Sequence, residues 1–124
     1  MIRGSMPGPR LQSLASSEQF SRVLRTGRVS RGGIFQVYVL PGEHGRTRLG
    51  IVVPKRLVRK AVWRNGCRRQ VRELCRTMLQ QLGGWEIVVR VQRSCTPGAV
   101  RAARRELAEQ LYRSTHVKDL DCAD

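Results

Sequence analysis

Ten residues between positions 55 and 76 carry side chains suited to gripping a polyanion: Lys55, Arg56, Arg59, Lys60, Arg64, Asn65, Arg68, Arg69, Arg72 and Arg76. A guanidinium holds phosphate oxygens through two parallel N–H donors, and an asparagine amide can add a further hydrogen bond. The whole stretch, KRLVRKAVWRNGCRRQVRELCR, contains one acid, Glu73. At about 100° per residue, Asn65, Arg68, Arg69, Arg72 and Arg76 fall on one flank of a helix. Gly66, Gln70, Glu73, Thr77, Gln80 and Gln81 fall on the other flank. Between the two, Val71, Leu74, Cys75, Met78, Leu79 and Leu82 share an apolar face, with Cys67 just before it. A helix that needs only solubility scatters its charges or interleaves acids at i,i+4. Cations sorted to one flank point to a polyanion-binding face.

The rest of the composition agrees. The 124 residues carry a formal charge of +15. Segment 46–76 alone holds 11 basic residues and one acid, a net of +10. Arginine supplies 21 of the 24 basic residues. Its planar fork and its ability to stack on bases suit RNA, although a GC-rich genome would give the same bias. A membrane surface is the competing partner. It fits less well, because the basic helix needs its apolar face for a core, and no apolar run approaches the ~18 residues of a membrane span.

Other chemistries lack their residues. No GxxxxGK[ST] or GxGxxG follows a strand, so a nucleotide-cofactor site has no support. His44 and His116 lie 72 positions apart, and no Ser/His/Asp or Cys/His grouping stands out. The carboxylates are few and scattered, whereas a two-metal nuclease brings several acids together. Cys67, Cys75, Cys95 and Cys122 show no C-x-x-C spacing, which argues against zinc and for reduced thiols in a cytoplasmic protein. No catalytic or metal-ligating residue is therefore assigned. A stand-alone metal-dependent nuclease is the least favoured reading.

The elements that position the basic residues can be read along the chain. Residues 1–15 look poorly structured, with 1–9 a tail whose MIRGSM resembles a vector-derived start. Ser16 and Gln19 form a capping-box pattern that opens a helix, EQFSRVLRTG, stopped by Gly27. IFQVYVL (34–40) reads as a strand with Phe35, Val37 and Val39 on one face, and Ile34, Gln36, Tyr38 and Leu40 on the other. PGEHG (41–45) reads as a turn leading to TRLGIVV, which would pair with the preceding strand as a hairpin ended by Pro54. The basic helix should begin near 58–61 and end at Gly83-Gly84. WEIVVRV (85–91) is a further strand. Thr96 and Pro97 then start a last helix with Val100, Ala103, Leu107 and Leu111 buried. The expected fold is α+β: a two-layer sandwich of a small mixed sheet, three to four strands, with about three helices. Residues 10–115 form the single RNA-binding domain, and 116–124 an acidic frayed tail.

The stretch RLGIVVPKR-LVRKAVWRNGCRRQVRE resembles the bacterial ribonuclease P protein subunit. Lys55-Arg56, Lys60-Ala61, Arg64-Asn65, Arg68-Arg69 and Arg72-Glu73 match that family's basic motif. SSEQFSRVLRTG, IFQVYVL and WEIVVR resemble its first helix and two of its strands, so the likeness spans about residues 10–114. Two positions depart from it. Gly66 stands at the third position of the Arg-Asn-Arg signature, and Leu24 where an aromatic often occurs.

The resemblance implies a subunit that binds a large catalytic RNA and helps to remove the 5′ leader from precursor tRNA. The RNA would hold the Mg²⁺ ions and perform the hydrolysis, with no metal bound firmly by the protein alone and no protein homo-oligomer required. It also implies a left-handed strand-helix-strand crossover, where general rules give a right-handed one. Phe20 and Tyr38 match the aromatics of a cleft that grips the leader, while Phe35 stays in the core. A non-catalytic ribosomal or assembly-type RNA-binding protein is the alternative.

Overall fold

The computed structural model describes residues 11–14, 16–42 and 46–116. A five-stranded mixed sheet is its centre. The strands are β1 (Leu11–Ser13), β2 (Arg28–Arg31), β3 (Phe35–Pro41), β4 (Thr47–Val52) and β5 (Trp85–Val91). The helices are α1 (Ser17–Thr26), α2 (Ala61–Thr77), α3 (Leu79–Leu82), α4 (Pro97–Ala102) and α5 (Arg104–Thr115). Across the sheet the order is β1-β4-β5-β3-β2. The α+β class is as expected, with one strand more at each edge than the apolar pattern reveals.

Strands β3 and β4 do not form the expected hairpin. β5 lies between them, antiparallel to β3 and parallel to β4. The reason is burial on both faces: Ile87, Val88 and Val89 are each fully buried. A strand apolar on both sides needs the middle of a covered sheet, and this outweighs local pairing. The PGEHG turn lies largely outside the described residues, as does the tail beyond 116.

The two unforeseen strands are short and polar. β1 runs parallel to β4 at one edge, so 11–14 departs from the expected unstructured start. Leu14 holds it in place, buried and donating its N–H to the Leu49 carbonyl at 3.1 Å. β2 pairs antiparallel with β3, and three of its four residues are exposed. Backbone pairing rather than apolar periodicity makes both strands, so no side-chain pattern announces them.

The local signals at helix ends hold. The Gln19 N–H donates to Ser16 Oγ at 3.2 Å, and the Ser16 N–H to Gln19 Oε1 at 3.4 Å, a complete capping box on α1. The Ala99 N–H donates to Thr96 Oγ1 at 3.1 Å, with Pro97 at the first position of α4. Gly83 adopts φ +60°, the left-handed conformation that closes α3. The long apolar periods are nonetheless broken, at Met78 between α2 and α3 and at Ala103 between α4 and α5.

The main core lies between one sheet face and α2, α4 and α5. It joins Phe35, Val37, Val39, Ile87, Val89 and Val91 to Cys67, Val71, Cys75, Val100, Leu107 and Leu111. α1 lies on the other face over a smaller cluster of Leu14, Val23 and Val88. The odd-numbered side chains of β3 thus feed the main core, as alternation requires.

Candidate nucleic-acid interface

The basic segment has two parts. Residues 55–58 form a turn, in which the N–H groups of Leu57 and Val58 both donate to the Pro54 carbonyl at 3.0 Å, and 59–60 lead from it into the helix. Val58 is buried and anchors the turn, leaving Lys55, Arg56, Arg59 and Lys60 exposed. α2 begins only at Ala61. Its charged flank then projects as the wheel requires, with Asn65, Arg68, Arg69, Arg72 and Arg76 lining one shallow cleft of about 380 Å³; Glu73, which the wheel puts on the other flank, also borders this cleft.

Arg68 donates to Asn65 Oδ1 at 3.2 Å. Among the described residues none of Arg68, Arg69, Arg72 and Arg76 is ion-paired. Arg72 and Arg76 also wall a second cleft of about 380 Å³ against Leu11, Gln12 and Ser13. The cation row therefore runs on to the sheet edge at β1. Four guanidiniums with no ion pair among the described residues stand on one flank, a spacing that suits successive phosphates.

Arg64 stands apart from this row. Its Nη1 donates to the carbonyls of Val58 and Arg59 at 3.0 and 2.8 Å, so the guanidinium ties the preceding turn to the helix. Both jobs use the same residue type, and sequence spacing alone does not separate them.

Gly66 has a packing reason. A Cβ there would lie 2.8 Å from Pro97 Cγ and 3.1 Å from Pro97 Cβ. The side of α2 that lacks cations is thus the side on which α4 rests. We expect Gly66→Ala to destabilise the fold by about 1 kcal/mol: overpacking against a stiff ring outweighs the helix-propensity gain. Urea unfolding measures this, and a stabilised variant would show that Pro97 yields.

Phe20 and Tyr38 do come together. Both are half-buried against the Leu14, Val23 and Val88 cluster on the α1 face of the sheet. Gly50 makes room for the ring of Phe20, since a Cβ there would collide with it and with Leu14. Tyr38 Oη donates to Gln36 Oε1 at 3.2 Å.

Strand register adds residues that sequence reasoning missed. Gln36 stands opposite both Arg90 and Arg31, and Val29 opposite Tyr38. By alternation these share the face of Tyr38. Val29 is 39% exposed and Arg31 is also exposed, so rings, an apolar patch and two guanidinium-bearing residues adjoin one another there. The alternation was readable, but the pairing that brings β2 and β5 beside β3 spans long stretches of chain.

The three described thiols, Cys67, Cys75 and Cys95, are all shifted above the usual thiol range. Burial pushes Cys75 up to about 12. Burial and the neighbouring Cys95 push Cys67 up to about 11. Cys95 is raised as well, again by burial. Folded-state values above the unfolded one mean that the unfolded chain loses these protons first. Stability is therefore fully present below about pH 9 and falls as pH rises from there through 11 and 12. Denaturant midpoints at pH 8 and pH 10.5 check this, and Cys75→Ala should flatten the decline. Among the described residues no three His, Cys, Asp or Glu side chains group to hold a metal ion. No described helix is long and apolar enough to cross a membrane.

A family model described as Ribonuclease P matches residues 9–115. The ribonuclease P protein component of Coxiella burnetii is 36% identical over 109 residues, covering 88% of this chain and 84% of that protein. Its counterpart from Ralstonia pickettii is 34% identical over 108 residues, covering 82% and 77%. Among solved structures, the RNase P protein from Thermotoga maritima aligns with a TM-score of 0.72 at 26% identity, covering 82% of this chain and 96% of that one. The RNase P protein of Staphylococcus aureus reaches the same TM-score of 0.72 at 22% identity and shares the fold.

Proposed function

This chain belongs to the ribonuclease P protein family, and on that premise we propose that it grips the catalytic RNA along α2 and the 5′ leader of precursor tRNA between α1 and the sheet. The single observation that carries this reading is the unpaired row of Arg68, Arg69, Arg72 and Arg76 along one flank of α2. Phosphates bound there release counterions, an affinity independent of base sequence. Phe20 and Tyr38 lie across the sheet from that row. Bases of a single strand stack on such rings with little regard for identity, which suits a subunit that meets many leaders.

The protein's part is binding and orientation. Bond cleavage, and the Mg²⁺ ions that assist it, belong to the RNA partner in this reading. Reduced thiols fit a cytoplasmic setting.

The test is cleavage of a precursor tRNA by cognate catalytic RNA at low Mg²⁺, with and without the full chain. We expect marked stimulation by the protein and no cleavage by the protein alone. Absence of stimulation would overturn the proposal. Equal binding of precursor and mature tRNA would favour a ribosomal or assembly-type RNA binder instead.

A further inference from the structure

The flank of α2 opposite the arginine row carries a feature that the phosphate track does not use. There, at the first helical turn, Trp63 is 38% exposed although it is large and apolar. Trp63 walls a cavity of about 570 Å³ that it shares with Arg56, Arg59, Lys60, Cys95 and Thr96. That volume lies within the range of small-molecule clefts. The lining holds three cations and no acid. Lys60 Nζ stands 4.7 Å from the centroid of the Trp63 ring, a cation–π contact that steadies the indole.

A tryptophan kept only for packing would turn its face into the core. This one borders an open cavity ringed by positive charge. An indole face takes any nucleobase by stacking, and cations around it hold the flanking phosphates. We propose that this cavity receives an unpaired nucleotide of the catalytic RNA, its base stacked on Trp63 and its phosphates held by Arg56 and Arg59. The proposal rests on the reading of this chain as an RNA-binding subunit and enlarges its footprint. The RNA would cross the first turn of α2 and reach both flanks of the helix.

The source of the nucleotide follows from placement. Leu57, Val58 and Cys95 all pack on the core between the sheet and α2. Phe20 and Tyr38 sit on the other sheet face. A strand held by those rings would have to pass around the sheet to enter the Trp63 cavity, whereas RNA on the arginine row is already on the same helix.

The experiment uses the full chain with Trp85→Phe, so that Trp63 is the sole indole, read by fluorescence alongside filter retention of labelled RNA. Saturating cognate catalytic RNA should quench the Trp63 emission, and a leader oligonucleotide should not. Trp63→Ala should lower affinity for the catalytic RNA roughly tenfold with the salt slope unchanged, because no phosphate contact is lost. Trp63→Phe, which keeps an aromatic face, should retain most of the affinity and guards against a folding defect in the alanine variant.

Retention of RNA with Trp63 emission unchanged, or wild-type affinity in Trp63→Ala, would overturn the inference and leave the family function standing. An emission change with phosphatidylglycerol vesicles but none with RNA would also overturn it, in favour of a lipid surface. RNA that is not retained at all would overturn the proposed function itself, and the filter measurement distinguishes that case.

Discussion

Replacing Arg68, Arg69 and Arg72 together by alanine is expected to weaken binding of the cognate catalytic RNA by about 100-fold near physiological salt and to lower the log-log salt slope by roughly two to three. Under the proposed function each lost guanidinium removes one phosphate contact and the counterion release that accompanies it. The fold should tolerate the change. Arg69 and Arg72 are exposed, and the hydrogen bond of Arg68 goes to Asn65 on the same helix surface. Arg64→Ala should behave differently. Its Nη1 bonds to the carbonyls of Val58 and Arg59 hold the turn, so its loss should lower the unfolding midpoint as well as the affinity. Filter binding across a salt series, with urea unfolding of each variant, separates the two patterns. A salt slope unchanged in the triple variant would place the RNA on another surface.

Tyr38→Ala should weaken precursor tRNA roughly tenfold while leaving mature tRNA nearly unaffected, since one stacked base contributes about 1–3 kcal/mol. Under the proposed function only the precursor has a leader to lay on the sheet. Tyr38→Phe keeps the ring and loses the bond from Oη to Gln36, and it should retain most of the preference. Competition binding of a matched precursor and mature pair gives the ratio directly. Equal losses for both would return Tyr38 to a packing role beside Phe20, Leu40 and Val52.

Gly66 shows how a departure from a family motif can be read physically. On the sequence it is a missing cation in a helix. In the structure it is the point where α4 touches α2, with the Pro97 ring where a side chain would go. The Cβ of any side chain there would press on that ring. The contact was invisible in the sequence because 66 and 97 meet only after β5 has crossed the sheet.

What the sequence determined by itself were the features that depend on near neighbours. Ser16 with Gln19, Thr96 with Pro97, and Gly83 set helix ends within one turn of their own position. The period of α2 sorted Val71 and Cys75 inward and Arg69, Arg72 and Arg76 outward, because a helix fixes the direction of every side chain once its axis is laid down. Tertiary structure decided what depends on pairing at a distance. β5 displaced the expected hairpin because only the sheet centre buries both of its faces. β1 and β2 joined the edges through backbone hydrogen bonds that any residues can make. The same long-range pairing set Arg90 and Arg31 beside Gln36 on the face of Tyr38. It also brought Cys95 and Thr96 up to Trp63, so that a charged turn and one exposed indole became the walls of a single cavity.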